Sequence, residues 1–544
     1  MTVIETRQGW FDRVVLDLGR QMRWSFLPPL MIYFSAGVSG LTAIVGTFFV
    51  KDYLGLSAAF LAGIAFWAGL PWALKMPLGH LVDLIWRRKA VLVYLGAALI
   101  ATSLGIMYLL ISDRAMMAAI LPVEAWYVIS ALLSPVGYVV QDAVADAMSV
   151  EAVPRVDDSG APYNQETSRA MHTTMQTLGR FSLIGGTVAV AILNIVMFSG
   201  AQDLDPQGKA DIYASIYLMA MVIPVLSVSG VFLATWQLRR ARVRMQRSGM
   251  SKAEAHSATS RPEGHTKLNH WYFTGGLVFV ILTLTIGLSD VSFAQEIVFA
   301  GSMAIVLFLM RQLIANLPPD KARALVGTAI IIFVFRAVPL NGAAATWFEI
   351  DVLGFDEQFL SLLYLIISVL TLAGIIVLRP MIASHPITRI IVFLTIVGGV
   401  LALPNIGLYY GIQNWTAPLT GGIVDARFIA MIDAGLESPL GQVAMIPMLA
   451  WIARNAPSNL KATFFAVMAS FTNLALSASA LATKYINQIF TVTREVSDKT
   501  TGDITVAADY SALGWLLITV AALGFALPLL AVVIVQHSRF KTTD

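Results

Sequence analysis

Long apolar stretches separated by short polar segments recur along the whole chain. Fourteen of them have about 20 residues or more, which is enough for a helix to cross the roughly 30 Å hydrocarbon core of a bilayer. They lie near 28–50, 57–78, 90–111, 118–148, 170–199, 211–237, 271–289, 293–316, 324–348, 359–379, 387–411, 428–453, 462–490 and 511–536. The short alternating segments of a membrane β-barrel are not seen. The pattern therefore predicts an all-α polytopic membrane protein with about 14 transmembrane helices.

The distribution of Lys and Arg predicts how these spans are oriented. Cytoplasmic loops of membrane proteins carry an excess of basic residues. With the N-terminus inside, few basic residues fall on the other side: Lys51, Arg114, Lys209, Arg427, Arg494 and Lys499. Four more lie inside predicted spans: Lys75, Arg180, Arg336 and Lys484. Both termini are therefore predicted to be cytoplasmic.

A basic, polar stretch divides the chain into unequal parts. Residues 1–237 form a predicted N-terminal six-helix bundle with an amphipathic N-terminal arm, and 238–270 a basic cytoplasmic linker. Residues 271–316 form an extra transmembrane hairpin, and 317–544 a C-terminal six-helix bundle. Two six-helix halves joined by a central cytoplasmic loop resemble the plan of the major facilitator superfamily.

Composition excludes the main classes of soluble protein. Of the 544 residues, 57% are hydrophobic and only 13% are charged, against roughly 25% charged in soluble proteins. A net charge of +3 does not suggest a nucleic-acid partner, and the absence of cysteine excludes thiolate metal sites and disulfides. No phosphate-binding loop, zinc-protease motif or serine nucleophile elbow occurs. We therefore expect neither an enzyme nor a bound cofactor or metal.

The segment from Leu70 to Asp83 carries the first candidate functional residues. Gly79 and Asp83 lie four residues apart, on one helix face at the cytoplasmic end of the second span. Together with the basic residues 87–89, this resembles the gating signature after the second helix of the major facilitator superfamily. The alternative is that these basic residues only set the orientation.

Asp142 and Asp146 lie one helical turn apart near the cytoplasmic end of the fourth span. Carboxylates facing lipid there would cost a few kcal/mol each, so they should face the bundle interior. Either they carry a coupling proton or serve as a gate, or they form a structural pair with Arg169 or Arg180 of the next span.

Arg336 lies near the middle of the predicted span 324–348. A guanidinium at the bilayer centre costs about 2.5–3.5 kcal/mol on insertion scales, so it needs a partner or a wet cavity. Pro339 should free backbone carbonyls where a ligand could approach, and Asn341 follows it as a further predicted substrate contact. Arg336 is predicted either to bind a substrate carboxylate or to form a salt bridge between the halves.

Later in the chain, Asn473, Ser477 and Lys484 share one helix face, which should line the central cavity. Asp433 and Glu437 lie one turn apart near the outer mouth and are interpreted as interfacial carboxylates, with a role at the mouth as the alternative.

Five stretches resemble the folate–biopterin transporter family of the major facilitator superfamily. They are Tyr33 to Ser57, Leu70 to Asp83, Asp142 to Glu151, Phe333 to Phe355 and Gly441 to Asn473. The resemblance implies a secondary transporter of folates and pterins, coupled to protons. It also favours Lys75, Asp142, Asp146 and Arg336 as functional positions.

The sequence thus predicts a monomeric secondary active transporter of a small organic anion in the cell (inner) membrane, driven by protons or another ion. The predicted substrate-binding residues are Arg336, Asn341, Lys75, Asn473 and Lys484. The predicted proton-coupling or gating residues are Asp83, Asp142, Asp146 and Arg180. The alternative is a membrane-embedded assembly or delivery factor, with the extra hairpin and the N-terminal arm docking on a partner complex.

Overall fold

Helices account for almost all of the structure. The computed structural model describes residues 22–50, 56–154, 163–201, 204–259, 270–287, 289, 291–315, 317–384, 386–437, 461–497 and 504–542. Within these ranges the exceptions are a two-stranded antiparallel sheet, β1 (Val496–Ser497) with β2 (Ile504–Val506), and short 3₁₀ turns. The predicted all-α membrane fold is confirmed.

The N-terminal half consists of helices that run up and down in sequence. They are α1 (Leu27–Val38), α2 (Ala43–Phe49), α3 (Ala58–Gly69), α4 (Lys75–Leu84), α5 (Ala90–Ser112), α6 (Arg114–Ile120), α7 (Val123–Ala152), α8 (Gln165–Met197), α9 (Pro206–Ala220) and α10 (Val222–Arg247). The 3₁₀ turn Ser39–Thr42 joins α1 to α2, and Leu70–Leu74 joins α3 to α4, so each pair forms one broken span.

The middle of the chain contains the basic stretch and the extra hairpin. Helix α10 continues to Arg247, ten residues into the stretch expected to be a linker, and α11 (Lys252–Thr259) follows. The hairpin consists of α12 (His270–Gly287) and α13 (Ala294–Ile314), which pack on each other. Helix α13 also packs on a helix of the C-terminal half, which places the hairpin at the edge of the bundle.

The C-terminal half repeats the up-and-down pattern. Its helices are α14 (Pro319–Arg336), α15 (Ala343–Asp351), α16 (Glu357–Ser384), α17 (Ile387–Tyr409), α18 (Gln413–Leu419), α19 (Ala426–Glu437), α20 (Lys461–Ile489) and α21 (Leu513–Gln536). The sheet lies between α20 and α21.

Eleven helical stretches among the described residues are long and apolar enough to cross a membrane. The predicted continuous span 324–348 is wrong, because the chain leaves the helix after Arg336 and re-enters it only at Ala343. Pro339 disfavours helical backbone in the residue before it, and Gly342 has a φ of 70°. The predicted span 428–453 is helical to Glu437, and the rest of it lies outside the described residues.

The two halves meet along two pairs of helices. Helix α3 packs on α20, and α8 packs on α16. Within the N-terminal half, α1 and α8 approach so closely that a methyl group on Gly37 would overlap the carbonyl oxygen of Leu183. Small residues at such crossings are typical of helix packing in membranes.

We call the end of the bundle that carries the C-terminus of α10 the basic end, and the other end the far end. At the far end one hydrophobic cluster contains residues of both halves, such as Phe198 and Ile216 from the first and Phe355 and Leu360 from the second. A separate cluster at the basic end, which includes Phe26, Val144 and Met175, belongs to the N-terminal half alone. Buried apolar contact therefore joins the halves at the far end, and a further cluster that includes Phe66 and Met468 joins them along α3 and α20.

Candidate functional site

A partly buried cluster of charges lies in the basic-end part of the N-terminal half. The ammonium of Lys75, the first residue of α4, lies 2.6 Å from Asp142 Oδ2 and 2.7 Å from Asp146 Oδ2. We call these three residues the Lys75 triad. The Asp142 side chain is 15% exposed and that of Asp146 is 46% exposed. The two carboxylates thus share one cation but differ in their access to water.

Helix α1 supplies a fourth member of this cluster. The hydroxyl of Tyr33 donates a hydrogen bond of 2.8 Å to Asp146 Oδ1. Its ring packs on Gly179 of α8, where an added methyl group would lie 3.0 Å from a ring carbon. Three helices of one half, α1, α4 and α7, are therefore tied together through these carboxylates.

The two aspartates have a direct partner that the structural interpretation did not include. Both pair directly with Lys75, which lies three helices earlier in the chain. Arg180 acts on Asp142 through its charge, and the side chain of Arg169 lies outside the described residues. A lysine within an apolar span and two acids one turn apart were each visible in the sequence, but their contact was not.

Arg336 and Arg180 are cationic side chains from opposite halves. Arg180 lies on α8 and is exposed, whereas Arg336 is half-buried. The two guanidinium charges act on each other. Arg336 occupies the last turn of α14, and not the middle of a continuous helix as expected. The partial negative charge at a helix C-terminus stabilises a cation there.

The break between α14 and α15 is held by side chains of α20. The amide of Leu340 donates to Thr483 Oγ1 at 2.9 Å. The Ser479 hydroxyl donates to the carbonyl of Val338 at 2.5 Å, and the Asn487 amide donates to the carbonyl of Asn341 at 3.4 Å. Non-helical backbone inside a membrane needs such partners. Two carbonyls of the break, those of Val338 and Asn341, are therefore already hydrogen-bonded.

The three residues predicted to line the cavity on α20 have different surroundings. Asn473 donates to the carbonyl of Trp72 at 3.4 Å, and Ser477 is buried next to Gly69, so both lie where α20 meets the second span. Lys484 lies against the extra hairpin, where its ammonium donates to Gln295 Oε1 at 2.8 Å. The expectation that these three residues share one cavity is wrong, because the hairpin packs on the far-end part of α20.

Polar contacts reinforce the closure of the far end. The hydroxyl of Tyr213 on α9 donates to Glu357 Oε1 on α16 at 2.7 Å, and both side chains are buried. Arg494 and Tyr510 contact Asp351 Oδ2 at 3.3 and 2.7 Å, which ties the loop after α20 to the end of α15. The Tyr213–Glu357 bond joins the two halves directly.

Asp433, interpreted as an interfacial carboxylate, is instead 5% exposed. It accepts a hydrogen bond of 2.7 Å from the Asn405 amide of α17. The packing of α19 on α17 and α16 buries it. The side chain of Glu437 lies outside the described residues.

A cavity of about 470 Å³ lies between the halves on the far-end side of the Lys75 triad. Its wall includes hydroxyl and aromatic side chains, among them Thr42, Tyr127, Ser130, Tyr217, Thr346 and Trp347. The last two belong to α15, so the second half forms one side. Such a wall offers hydrogen bonds and ring stacking to a flat organic molecule.

Two further points complete the account of the predicted site. Asp83 lies in α4, and its side chain is outside the described part of the structure. Among the described residues, no group of three or more His, Asp or Glu is placed to hold a metal ion. Sequence reasoning missed Tyr33, although a tyrosine buried in an apolar span usually needs a partner for its hydroxyl.

Comparison with known proteins decides the family. The family model of the BT1 family matches residues 36–543. The chain belongs to the BT1 family. This BT1-family protein is 24% identical over 470 residues to a protein named folate-biopterin transporter from Synechocystis sp., a match that covers 86% of this chain and 75% of that one. The resemblance to folate–biopterin transporters is confirmed, and the protein is a multi-pass membrane transporter.

Solved structures show the same fold. A POT family transporter in complex with 5-aminolevulinic acid has a TM-score of 0.59 at 14% identity, with 96% of each chain covered. The nucleoside transporter NupG, as a mutant, has a TM-score of 0.50 at 11% identity, covering 94% of this BT1-family protein and 100% of that chain. The predicted major facilitator-type fold is thus confirmed.

Proposed function

We propose that this BT1-family protein is a monomeric secondary active transporter in the cell (inner) membrane, moving a small folate- or pterin-like anion by alternating access. The name of the Synechocystis relative supports the substrate class. The observation that carries the proposal is the placement of two cations on helices of opposite halves, Arg180 within α8 and Arg336 in the last turn of α14, near enough for their charges to interact.

Two like charges that act on each other across a helix-bundle interface favour an anion between them. A guanidinium binds a carboxylate through two parallel hydrogen bonds, and the glutamate tail of a folate has two carboxylates. An anion that contacts Arg180 and Arg336 together draws the halves towards each other at this depth. Binding energy at the two arginines is therefore coupled to the rocking motion of alternating access.

The Lys75 triad is the proposed proton-coupling site. Asp146 is 46% exposed and can exchange a proton with water, whereas Asp142 is 15% exposed and stays paired with Lys75. Protonation of Asp146 removes one of the two negative charges that hold Lys75 and leaves Tyr33 with a neutral partner. The contact between α1, α4 and α7 is then weaker, which lets the basic end of this half move.

The other predicted residues have supporting roles. Asn473 lies where α20 contacts the second span, a surface that must shift as the halves rock. Asn341 occupies the break beside Arg336, where its side chain completes the proposed substrate site. Asp83 is the proposed gate residue at the basic end of α4, and Lys484 is proposed to act through the extra hairpin instead of by direct substrate contact.

Substitution of Arg336 tests the proposal. Arg336→Lys keeps the charge but loses the planar fork, and Arg336→Gln loses both. One charge-assisted hydrogen bond contributes about 1.5–3 kcal/mol, so Arg336→Gln should weaken folate binding roughly ten- to a hundredfold, and Arg336→Lys less. Arg323→Gln is the matched control, because Arg323 lies on the same helix but is exposed and paired with Asp320.

Binding to purified protein and uptake into proteoliposomes are the two measurements. A neutral pterin without the glutamate tail should bind wild type and both Arg336 variants equally. If Arg336→Gln binds folate as tightly as Arg323→Gln does, the arginine is not a carboxylate ligand. If the pure protein takes up no folate or pterin but co-purifies with a membrane complex, the assembly-factor alternative replaces the transporter proposal.

A further inference from the structure

A second cavity, of about 560 Å³, lies outside the central site, where the turn of the extra hairpin meets the second span and α20. Its wall includes Trp67 and Gly287 on one side and Glu296, Lys484 and Tyr485 on the other. We call it the hairpin cavity. It is separate from the space between Arg180 and Arg336, because it opens beside a helix pair at the edge of the bundle.

The hairpin cavity faces the surroundings of the bundle. In α12, Phe279 is the buried residue of the helix, and Trp271, Leu277, Ile281 and Leu284 are largely exposed. A surface of this kind contacts lipid. A carboxylate and an ammonium that open towards lipid cost a few kcal/mol each unless polar groups surround them. Hydrocarbon chains are therefore poor occupants of this cavity.

The charged groups in the cavity are partly paired with each other. The Lys484 ammonium donates to Gln295 Oε1 and lies 3.5 Å from Glu296 Oε1. The Tyr485 hydroxyl also donates to Glu296 Oε1. An ammonium has three N–H donors, so these two contacts leave Lys484 capacity for one more acceptor.

The second carboxylate oxygen of Glu296 is the decisive feature. Glu296 Oε2 is buried, and among the described residues no other residue donates a hydrogen bond to it. The backbone amide of Glu296 itself lies within hydrogen-bonding reach of its carboxylate, but a buried charged oxygen with unfilled acceptor capacity still costs free energy. Glu296 Oε2 thus calls for an N–H donor from a molecule bound in the hairpin cavity.

The last residue before α13 has an unusual backbone conformation. Phe293 has a φ of 60°, which a residue with a side chain adopts rarely, and its ring is 69% exposed. Gly287 approaches the Trp67 ring so closely that an added methyl group would lie 3.1 Å from it. The cavity lies beside the turn that joins the two hairpin helices, and exposed aromatic residues at such positions are typical of the membrane–water interface, which favours the depth of lipid headgroups.

We propose that the hairpin cavity binds the headgroup of an amine-bearing phospholipid, with its ammonium on Glu296 Oε2 and its phosphate on Lys484. A phosphoethanolamine headgroup carries both charges two carbons apart, and so can bridge these neighbouring side chains. A choline headgroup has no N–H donor and cannot satisfy Glu296 Oε2. A phosphatidylglycerol headgroup can pair with Lys484 only.

Native mass spectrometry of the full-length protein, exchanged into detergent with equal amounts of two lipids, tests the proposal. Wild type should retain phosphatidylethanolamine roughly tenfold more than phosphatidylcholine, the effect of one charge-assisted hydrogen bond. Glu296→Gln should bring that ratio to about one, and Lys484→Gln should lower retention of both phosphatidylethanolamine and phosphatidylglycerol. Glu124→Gln, at the exposed start of α7 at the same end, is the matched control and should leave the ratio unchanged.

A second series uses the wild-type protein alone and so does not depend on whether a variant folds. Stepwise N-methylation of phosphatidylethanolamine removes N–H donors while keeping the charge. Retention should fall stepwise from phosphatidylethanolamine through its monomethyl and dimethyl derivatives to phosphatidylcholine. Equal retention along this series, or an unchanged ratio in folded Glu296→Gln, would overturn the proposal.

Discussion

Removing the charge of Lys75 should destabilise the protein more than removing the charge of its partner Asp142. In Lys75→Gln, two carboxylates one turn apart remain without their cation, and Asp142 is only 15% exposed. Breaking such a buried pair by removing one partner costs about 3–5 kcal/mol. In Asp142→Asn, Lys75 keeps Asp146 at 2.7 Å, so the loss is nearer that of one charged hydrogen bond, about 1.5–3 kcal/mol.

The double variant provides the sharper test. In Lys75→Gln/Asp142→Asn, the remaining Asp146 keeps the hydroxyl of Tyr33 at 2.8 Å and is 46% exposed. The carboxylate repulsion of the single lysine variant is gone. The double variant should therefore be more stable than Lys75→Gln alone, although it lacks one more native group. Neighbouring residues that share a partner show coupling of about 0.5–3 kcal/mol.

Thermal unfolding followed by the fluorescence of the 12 tryptophans measures this order. Apparent melting temperatures should rank wild type highest, then Asp142→Asn, then the double variant, with Lys75→Gln lowest. A double-mutant cycle on a control pair, Arg323 and Asp320, whose side chains are 49% and 92% exposed, should give a small coupling free energy of about 0.2–1 kcal/mol. If Lys75→Gln and Asp142→Asn add without coupling, the triad does not act as one charge cluster.

Further predictions address coupling, gating, topology and the far end. Asp146→Asn should abolish accumulation driven by a proton gradient but leave counterflow exchange, and equal loss of both would indicate a structural role. Asp83→Asn should lower transport while expression holds; loss of the protein from the membrane would assign Asp83 to folding. Accessibility tags in 238–270 and after Asp544 should report a cytoplasmic location, and a tag in 495–509 should report the outside. A cytoplasmic signal from the tag in 495–509 would overturn the predicted topology. Because the chain has no cysteine, Thr346→Cys gives a single site for a thiol label in the cavity wall. Adding Tyr213→Phe removes the hydroxyl that donates to Glu357, so the label should react faster from the far end. An unchanged labelling rate would show that this hydrogen bond does not hold the far end closed.

The sequence by itself determined the class of protein, its fold type and its family. Apolar runs of bilayer length are a local property of the chain, because each transmembrane helix satisfies its own backbone hydrogen bonds. The five family-like stretches pointed to the folate–biopterin transporters, and the match over 36–543 agrees. Charged residues inside apolar runs, such as Lys75 and Arg336, were also visible as candidates because their cost in lipid does not depend on the fold.

Only the tertiary structure decided which of these residues meet. Lys75 reaches Asp142 and Asp146 because α4 packs on α7, and no spacing in the sequence encodes that contact. Lys484 leaves the predicted cavity face because the extra hairpin covers the far-end part of α20. The break after Arg336 was hidden, because the apolar run continues through Pro339 and side chains of α20 satisfy the broken backbone. Pairing between distant helices depends on which faces pack together, and in an almost uniformly apolar chain the hydrophobic pattern carries little information about those faces.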